Sequence, residues 1–439
     1  MLDWQHPRAA AVRLSRPTSG PASGPPVYLC AFLTLLNDRL SETLIFPLLP
    51  FLLAGFTNDG RTLGLLTGSY AVAQFLATPL IGALSDRYGR RPVMAVCVAG
   101  TVLGLAVFAA TIATDWSAIP WAAGSGLPLA LLFAGRLLDG ASGGTAATAA
   151  AVLADVSPPE KRAKAFGLIG VAFGLGFILG PALGGLLGRL NVNLPLLIAV
   201  LIAVMNLVLV LVALPETHPI SARIPLPRKR ELQPFTQLSR VFSNPRVRRL
   251  CSAFFLFFLA FSGFTGVLVL YFKQRFGWGP GLAGAAFLVV GVVATVVQGG
   301  LIGPLVKRFG EWRLTMAGLG FVIAGCALVP LARPGQAGAL VFPAVACLAL
   351  GTGLVTPCLR ALVSQRLGDS GQGAALGSLQ GLQSLGSFIG PPLAGLAYET
   401  VGRTSPFWMA TALLVAVGAL VAGGRRNLER RSRQAAPTQ

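Results

Sequence analysis

Runs of predominantly apolar residues recur along this chain, with short polar segments between them. They cover roughly 28–54, 63–84, 93–113, 128–152, 165–188 and 194–214, then roughly 251–272, 282–304, 314–332, 339–363, 375–398 and 405–423. About 20 such residues, rising 1.5 Å each, cross a ~30 Å hydrocarbon layer as one helix. The pattern therefore predicts an all-α membrane protein with twelve transmembrane helices. Between the sixth and seventh runs, 215–249 turns polar, basic and proline-rich, with Pro215, Pro219, Pro225, Pro227 and Pro234. It reads as a linker between an N-terminal six-helix bundle over 28–214 and a C-terminal one over 250–423. Residues 1–27 and 424–439 read as basic cytoplasmic tails, the first disordered, with no cleavable signal before the first span.

Composition agrees. Hydrophobic residues make up 54% of the chain and charged ones only 11%, where a soluble chain carries roughly a quarter charged; mean hydropathy is +0.71. Lipid must be the solvent. A net charge of +20 would suit nucleic acid only if it were gathered on a folded polar domain, and none is visible. The 35 Lys and Arg residues instead sit almost wholly between the apolar runs. With both termini cytoplasmic, 27 fall inside (Arg360, at the end of span ten, and Arg366 among them), 6 fall outside, and Arg39 and Arg136 lie within spans. That asymmetry obeys the positive-inside rule and suits a multi-pass protein of the plasma (inner) membrane. Cys30, Cys97, Cys251, Cys326, Cys347 and Cys358 all fall in or beside apolar runs without metal-ligand spacing. No Walker-type loop or catalytic constellation appears, so neither an enzyme nor a resident metal or cofactor is expected.

The fifth span carries Gly167, Gly176, Gly180, Pro181, Gly184 and Gly185. The eleventh carries Gly377, Gly386, Gly390, Pro391 and Gly395, each 210 residues on from its counterpart, with Ala394 in place of Gly184. A parallel duplication of two half-chains explains five coincident positions. The loops after spans two and eight echo each other as well. Gly82-Ala83-Leu84-Ser85-Asp86-Arg87-Tyr88-Gly89-Arg90-Arg91 is answered by Gly303-Pro304-Leu305-Val306-Lys307-Arg308-Phe309-Gly310, with Lys307 opposite Asp86.

At these residues the chain resembles the major facilitator superfamily, and within it the drug/proton antiporters of the tetracycline-exporter type. Gly82 to Arg91 looks like the superfamily's loop signature. Arg136-Leu137-Leu138-Asp139-Gly140 is similar to its fourth-span motif, and the fifth-span glycines to the motif associated with antiporters. Ala154-Asp155-Val156 with Glu160-Lys161-Arg162 matches the usual exit from span four, and Asp38 resembles a first-span acid of tetracycline exporters. The resemblance covers about 28–423. It implies two pseudo-symmetric six-helix bundles that rock around a central site, with no cofactor. It also implies that Asp86 faces the start of span eleven near Ser370–Ala374. With Arg90 or Arg91 paired to Asp155, this would latch the cytoplasmic gate. The glycine motifs read as hinge and packing seams between the halves; packing alone is the plainer alternative.

Charges within spans are costly and by default functional. Five are expected, Asp38, Arg39, Glu42, Arg136 and Asp139, all in the first half, and together they sum to −1. Depth along the helices places Arg136 between Asp38 and Glu42 in level, able to bridge to either. These residues are the candidates for proton coupling, and their net acidity points to neutral or cationic substrates. The second half offers Gln298, Gln380, Gln383 and hydroxyls for hydrogen bonding a substrate. The favoured expectation is proton-coupled export of amphipathic small molecules by a monomer. A metabolite or lipid-like substrate on the same fold is the alternative, and a non-transporting scaffold or receptor the rival of another class.

Overall fold

The structure, a computed structural model, describes residues 25–119, 125–158, 162–223, 225, 247–367 and 372–435. Glu160, Lys161, Ser370, most of the linker and most of the N-terminal tail lie outside them. The first half contains α1 (Pro25–Ile45), α2 (Gly60–Tyr88), α3 (Arg90–Ala113), α4 (Leu127–Ala141), α5 (Thr145–Val156), α6 (Arg162–Leu190) and α7 (Leu194–Ala213). The second contains α8 (Arg248–Phe276), α9 (Pro280–Val296), α10 (Ile302–Leu331), α11 (Ala337–Leu367), α12 (Gln372–Thr400) and α13 (Ser405–Ala435). They make twelve crossings in two six-helix bundles. The fourth crossing is α4 and α5 together, interrupted at Ser142–Gly144. A π-helical segment, Val297–Leu301, joins α9 to α10, and α10 turns back at Gly310, so it holds parts of crossings eight and nine.

Among the described residues, eight helical stretches are long and apolar enough to cross a bilayer by composition, one of them the 52-residue run Pro280–Leu331 that folds at Gly310. Crossings one, four and eleven are not among them for local reasons, the eleventh because Gln380, Gln383, Pro391 and Pro392 lower its hydropathy. Asp38, Arg39 and Glu42 load α1 with charge, and the break at Ser142–Gly144 splits the fourth. Helices also overrun the apolar windows, most of all α13, which continues to Ala435 through residues expected to be a tail.

The duplication is visible in the packing. A β-carbon on Gly104 of α3 would stand 2.7 Å from the Gly135 carbonyl of α4, and one on Gly318 of α10 would stand 2.9 Å from the Gly351 carbonyl of α11. Gly89 and Gly310 take φ of +108° and +75° at equivalent loops, a conformation that side chains on other residues resist. The hydroxyl of Thr43 on α1 lies 2.8 Å from the Gly176 carbonyl of α6, and that of Ser262 on α8 lies 2.9 Å from the Gly386 carbonyl of α12.

The two bundles meet α2 against α12 and α6 against α9. At the face opposite the chain termini these seams are tight. A β-carbon on Gly64 would overlap the Pro391 carbonyl, and one on Gly284 would stand 2.9 Å from the Pro181 carbonyl. Gly82 is 18 residues, five helical turns, beyond Gly64 and so on the same face of α2, yet among the described residues nothing lies within 4 Å of its β-carbon position. Gly174 of α6 and Gly299 of the π-helical segment are equally open. The halves are closed at the far face and parted toward the termini.

Candidate functional site

The intramembrane charges of the first half form two clusters, each built within one helix. On α1, Arg39 sits 2.6 Å from Asp38 and also ion-pairs with Glu42, one turn on. On α4, Arg136 lies 3.5 Å from Asp139 and 4.7 Å above the centre of the Tyr70 ring. The expected bridge from Arg136 to Asp38 or Glu42 is not formed. Arg39 already occupies both acids: the three-residue spacing puts Glu42 on its own face of the helix, and its guanidinium also reaches back to the adjacent Asp38. A cavity of about 10 Å³ lies between Arg136, Asp139 and the apolar side chains around them, roughly the room one water needs.

Spans read separately in the sequence touch here. A β-carbon on Gly176 of α6 would stand 2.7 Å from the Arg39 β-carbon, and Phe173, one turn earlier, presents its ring 4.9 Å from the guanidinium. The glycine motif of the fifth span therefore makes room for the charged group of the first, and most of it seals a seam within one half rather than the expected seam between halves, because the small residues lie on the face that α1 packs against. Gly180 likewise leaves space for Thr43, and Gly184 for the Leu44 backbone. Gly185 and Pro181 face Gly284 across the bundle boundary. In the second half Gly386 and Gly390 admit α8, while Pro391 meets Gly64 and Gly266. Gly167 lies in α6, but its surroundings fall outside the described residues.

The loop network centres on Arg90. Its guanidinium reaches Asp86 at 2.5 Å, Asp155 at 2.9 Å and the Ser85 hydroxyl at 3.1 Å. Arg90, not Arg91, is thus the partner of Asp155; Arg91 donates to the Leu211 carbonyl instead. Arg87 lies over the Tyr88 ring. Glu216 went unrecognised in the sequence. Its carboxylate accepts from the Arg90 and Arg91 amides at 2.9 and 3.2 Å, capping the orphan N–H groups that open α3. A β-carbon on Gly89 would overlap it. An acid directly after the sixth apolar run was the signal available. Asp86 is bound within its own half here, and Ser370, part of its expected partner on span eleven, lies outside the described residues.

In the second half Gln298 and Gln380 are exposed, and Gln383 accepts from Arg360 at 2.7 Å. Arg360 was counted among the solvated anchors. The structure corrects this, because α11 runs two further turns to Leu367 and places Arg360 inside the bundle, 5.9 Å from the Phe254 ring centre.

Residues 27–391 match the model of the Major Facilitator Superfamily. The chain belongs to that superfamily. This member is 33% identical over 374 residues to the class C tetracycline resistance protein of Escherichia coli, covering 84% of this chain and 89% of that one. It is 28% identical to the human major facilitator superfamily domain-containing protein 10, covering 87% of this chain and 89% of the relative. The crystal structure of that human protein, described as an organic anion transporter, superposes with a TM-score of 0.68 over 90% of this chain and 99% of the other. The nucleoside transporter NupG, at 13% identity and a TM-score of 0.72, shares the fold. This superfamily member is a secondary transporter in a membrane, not an enzyme, and it moves a small molecule by alternating access.

Proposed function

We propose that the protein exports amphipathic small molecules in exchange for protons. On this reading the termini lie in the cytoplasm, the membrane is the plasma (inner) membrane, and the bundles are parted toward the cytoplasm. The observation that carries it is the Asp38–Arg39–Glu42 group packed directly on Gly176, where a change in charge acts on the seam between α1 and α6. With Asp139 and Arg136 the set sums to −1, so one proton neutralises it, and a low dielectric favours neutrality. The likeness to tetracycline resistance proteins supports export of a drug-like molecule. Asp86, Arg90 and Asp155 would form the gate at the termini face, and Glu216 would hold the loop in place.

The test is efflux of a fluorescent amphipathic dye from proteoliposomes, with and without a pH gradient. Gradient-dependent accumulation against the dye's own gradient is expected. Binding without flux would leave only the scaffold reading, and flux indifferent to the gradient would remove the proton.

A further inference from the structure

Every intramembrane arginine of the first half has an acid of its own. Arg39 has Asp38 and Glu42, and Arg136 has Asp139. Arg360 in the second half has none among the described residues. Its guanidinium donates one hydrogen bond to Gln383, lies near one face of Phe254, and keeps a buried Nε with no acceptor. Desolvating such an ion costs several kcal/mol unless a counter-charge and hydrogen bonds replace the water. One amide oxygen and a ring face supply only part of that, and the fork of a guanidinium is shaped for a two-oxygen anion.

Neighbouring residues place this cation beside the parted interface. Gln298 follows Gly291 by seven residues, two turns, on the same face of the helix, and Gly291 packs on Ile178 of the other bundle. Gln298 therefore points toward the other half, where the bundles have separated and it is exposed. Its Cγ would stand 3.7 Å from a β-carbon on Gly353 of α11. Gly353 is in turn two turns before Arg360, on one face of α11. Gln383 precedes Gly386 by one turn, so the α8–α12 seam that Gly386 forms also fixes the amide that orients Arg360.

We infer that Arg360 is the anchor for an anionic group on the transported molecule, with Gln383 positioning the guanidinium and Phe254 and Gln298 flanking it. The substrate is an amphipathic carboxylate or similar oxyanion, not the cation that first-half acidity suggests, because those acids are already paired. This inference rests on the transport reading, but binding tests it separately from flux.

The probe is a coumarin carboxylate dye compared with its methyl ester, which keeps the ring and removes the charge. Binding to the purified full-length protein is read by fluorescence anisotropy. Wild type should bind the acid at least tenfold more tightly than the ester. Arg360→Gln should raise the Kd of the acid at least tenfold and leave that of the ester unchanged, with Arg360→Lys between the two. Equal binding of acid and ester by wild type overturns the inference, and that comparison needs no variant to fold. An undiminished affinity in a monodisperse Arg360→Gln protein also overturns it. So does displacement of the dye by phosphatidylglycerol but not by phosphatidylcholine, which would assign the cation to a lipid headgroup. Absence of flux for acid and ester alike would sink the transport proposal while leaving the binding result to decide the role of Arg360.

Discussion

At the scale of single residues, the charges were legible and their pairing was not. Asp38, Glu42, Arg136 and Asp139 stand out because an ionisable group in an apolar run is expensive. Which arginine neutralises which acid depends on rotamers, and depth alone wrongly favoured Arg136 over Arg39. Arg360 reads as an anchor in the sequence because it stands only three residues before the end of the tenth apolar run, where a positive charge resembles one at the membrane surface. Two expectations follow for the α1 group. Asp38→Asn should abolish uphill dye transport while leaving downhill exchange measurable in proteoliposomes. Normal pH-dependent accumulation by both Asp38→Asn and Glu42→Gln would show the cluster to be structural. Arg39→Gln leaves two acids without a counter-charge, a loss typically worth 3–5 kcal/mol for a buried pair. It should cut the yield of monodisperse protein several-fold, and the double variant Arg39→Gln/Asp38→Asn should recover part of it. In the loop, Asp86 is 39% exposed, so Asp86→Asn should slow transport sharply at near-normal expression, whereas wild-type flux in that variant would remove Asp86 from the gate.

At the scale of helices, the spans and the repeat were readable because glycine and proline spacing survives in one dimension. What the glycines touch was not readable, since a seam within one bundle and a seam between bundles share one pattern. Gly180 and Gly390 face α1 and α8 of their own halves, but Pro181 and Pro391 of the same motif meet the opposite half. Even alanine should therefore disturb both. Gly180→Ala would drive a methyl group into the Thr43 side chain and displace its hydroxyl from the Gly176 carbonyl. Gly390→Ala would do the same to Ser262. Overpacking of this kind costs about 1–3 kcal/mol, so both variants should lower the midpoint of thermal unfolding and the rate of dye turnover. Gly82→Ala, whose β-carbon meets nothing within 4 Å, is the control and should leave the midpoint unchanged. An equal loss in all three would remove the two seams as its cause, since helix propensity alone favours alanine over glycine and would raise the midpoint.

At the scale of the molecule, the state on view is held shut at the far face by a small set of polar contacts between bundles. Lys273 donates to the Pro50 carbonyl at 3.0 Å and to Asn58 at 3.2 Å, and Gln274 donates to the Asn58 carbonyl at 3.2 Å. Glu399 accepts from the Gly60 amide at 2.7 Å, where α2 begins and the helix dipole favours a negative charge. None of these residues stands out in the sequence, because each is an ordinary polar residue at a span end and only the assembled bundles bring them together. Alternating access requires that this seal break, so its strength sets the population of the opposite state. A hydrogen bond to a charged group contributes about 1.5–3 kcal/mol. Glu399→Ala should therefore shift the equilibrium toward an open far face by a factor of roughly 10–150, at 1.4 kcal/mol per tenfold. The shift can be read with spin labels at Arg61 and Val401, exposed positions on opposite halves of that face, in a cysteine-free background. The expected result is a second, longer distance population in Glu399→Ala that is minor in wild type, and a weaker version of it in Lys273→Ala. Because Gly64 and Pro391 still close the seam beneath, the longer population should grow without complete loss of the shorter one. An unchanged distribution in both variants would mean that the glycine seam alone holds the far face closed and that the polar contacts merely follow it.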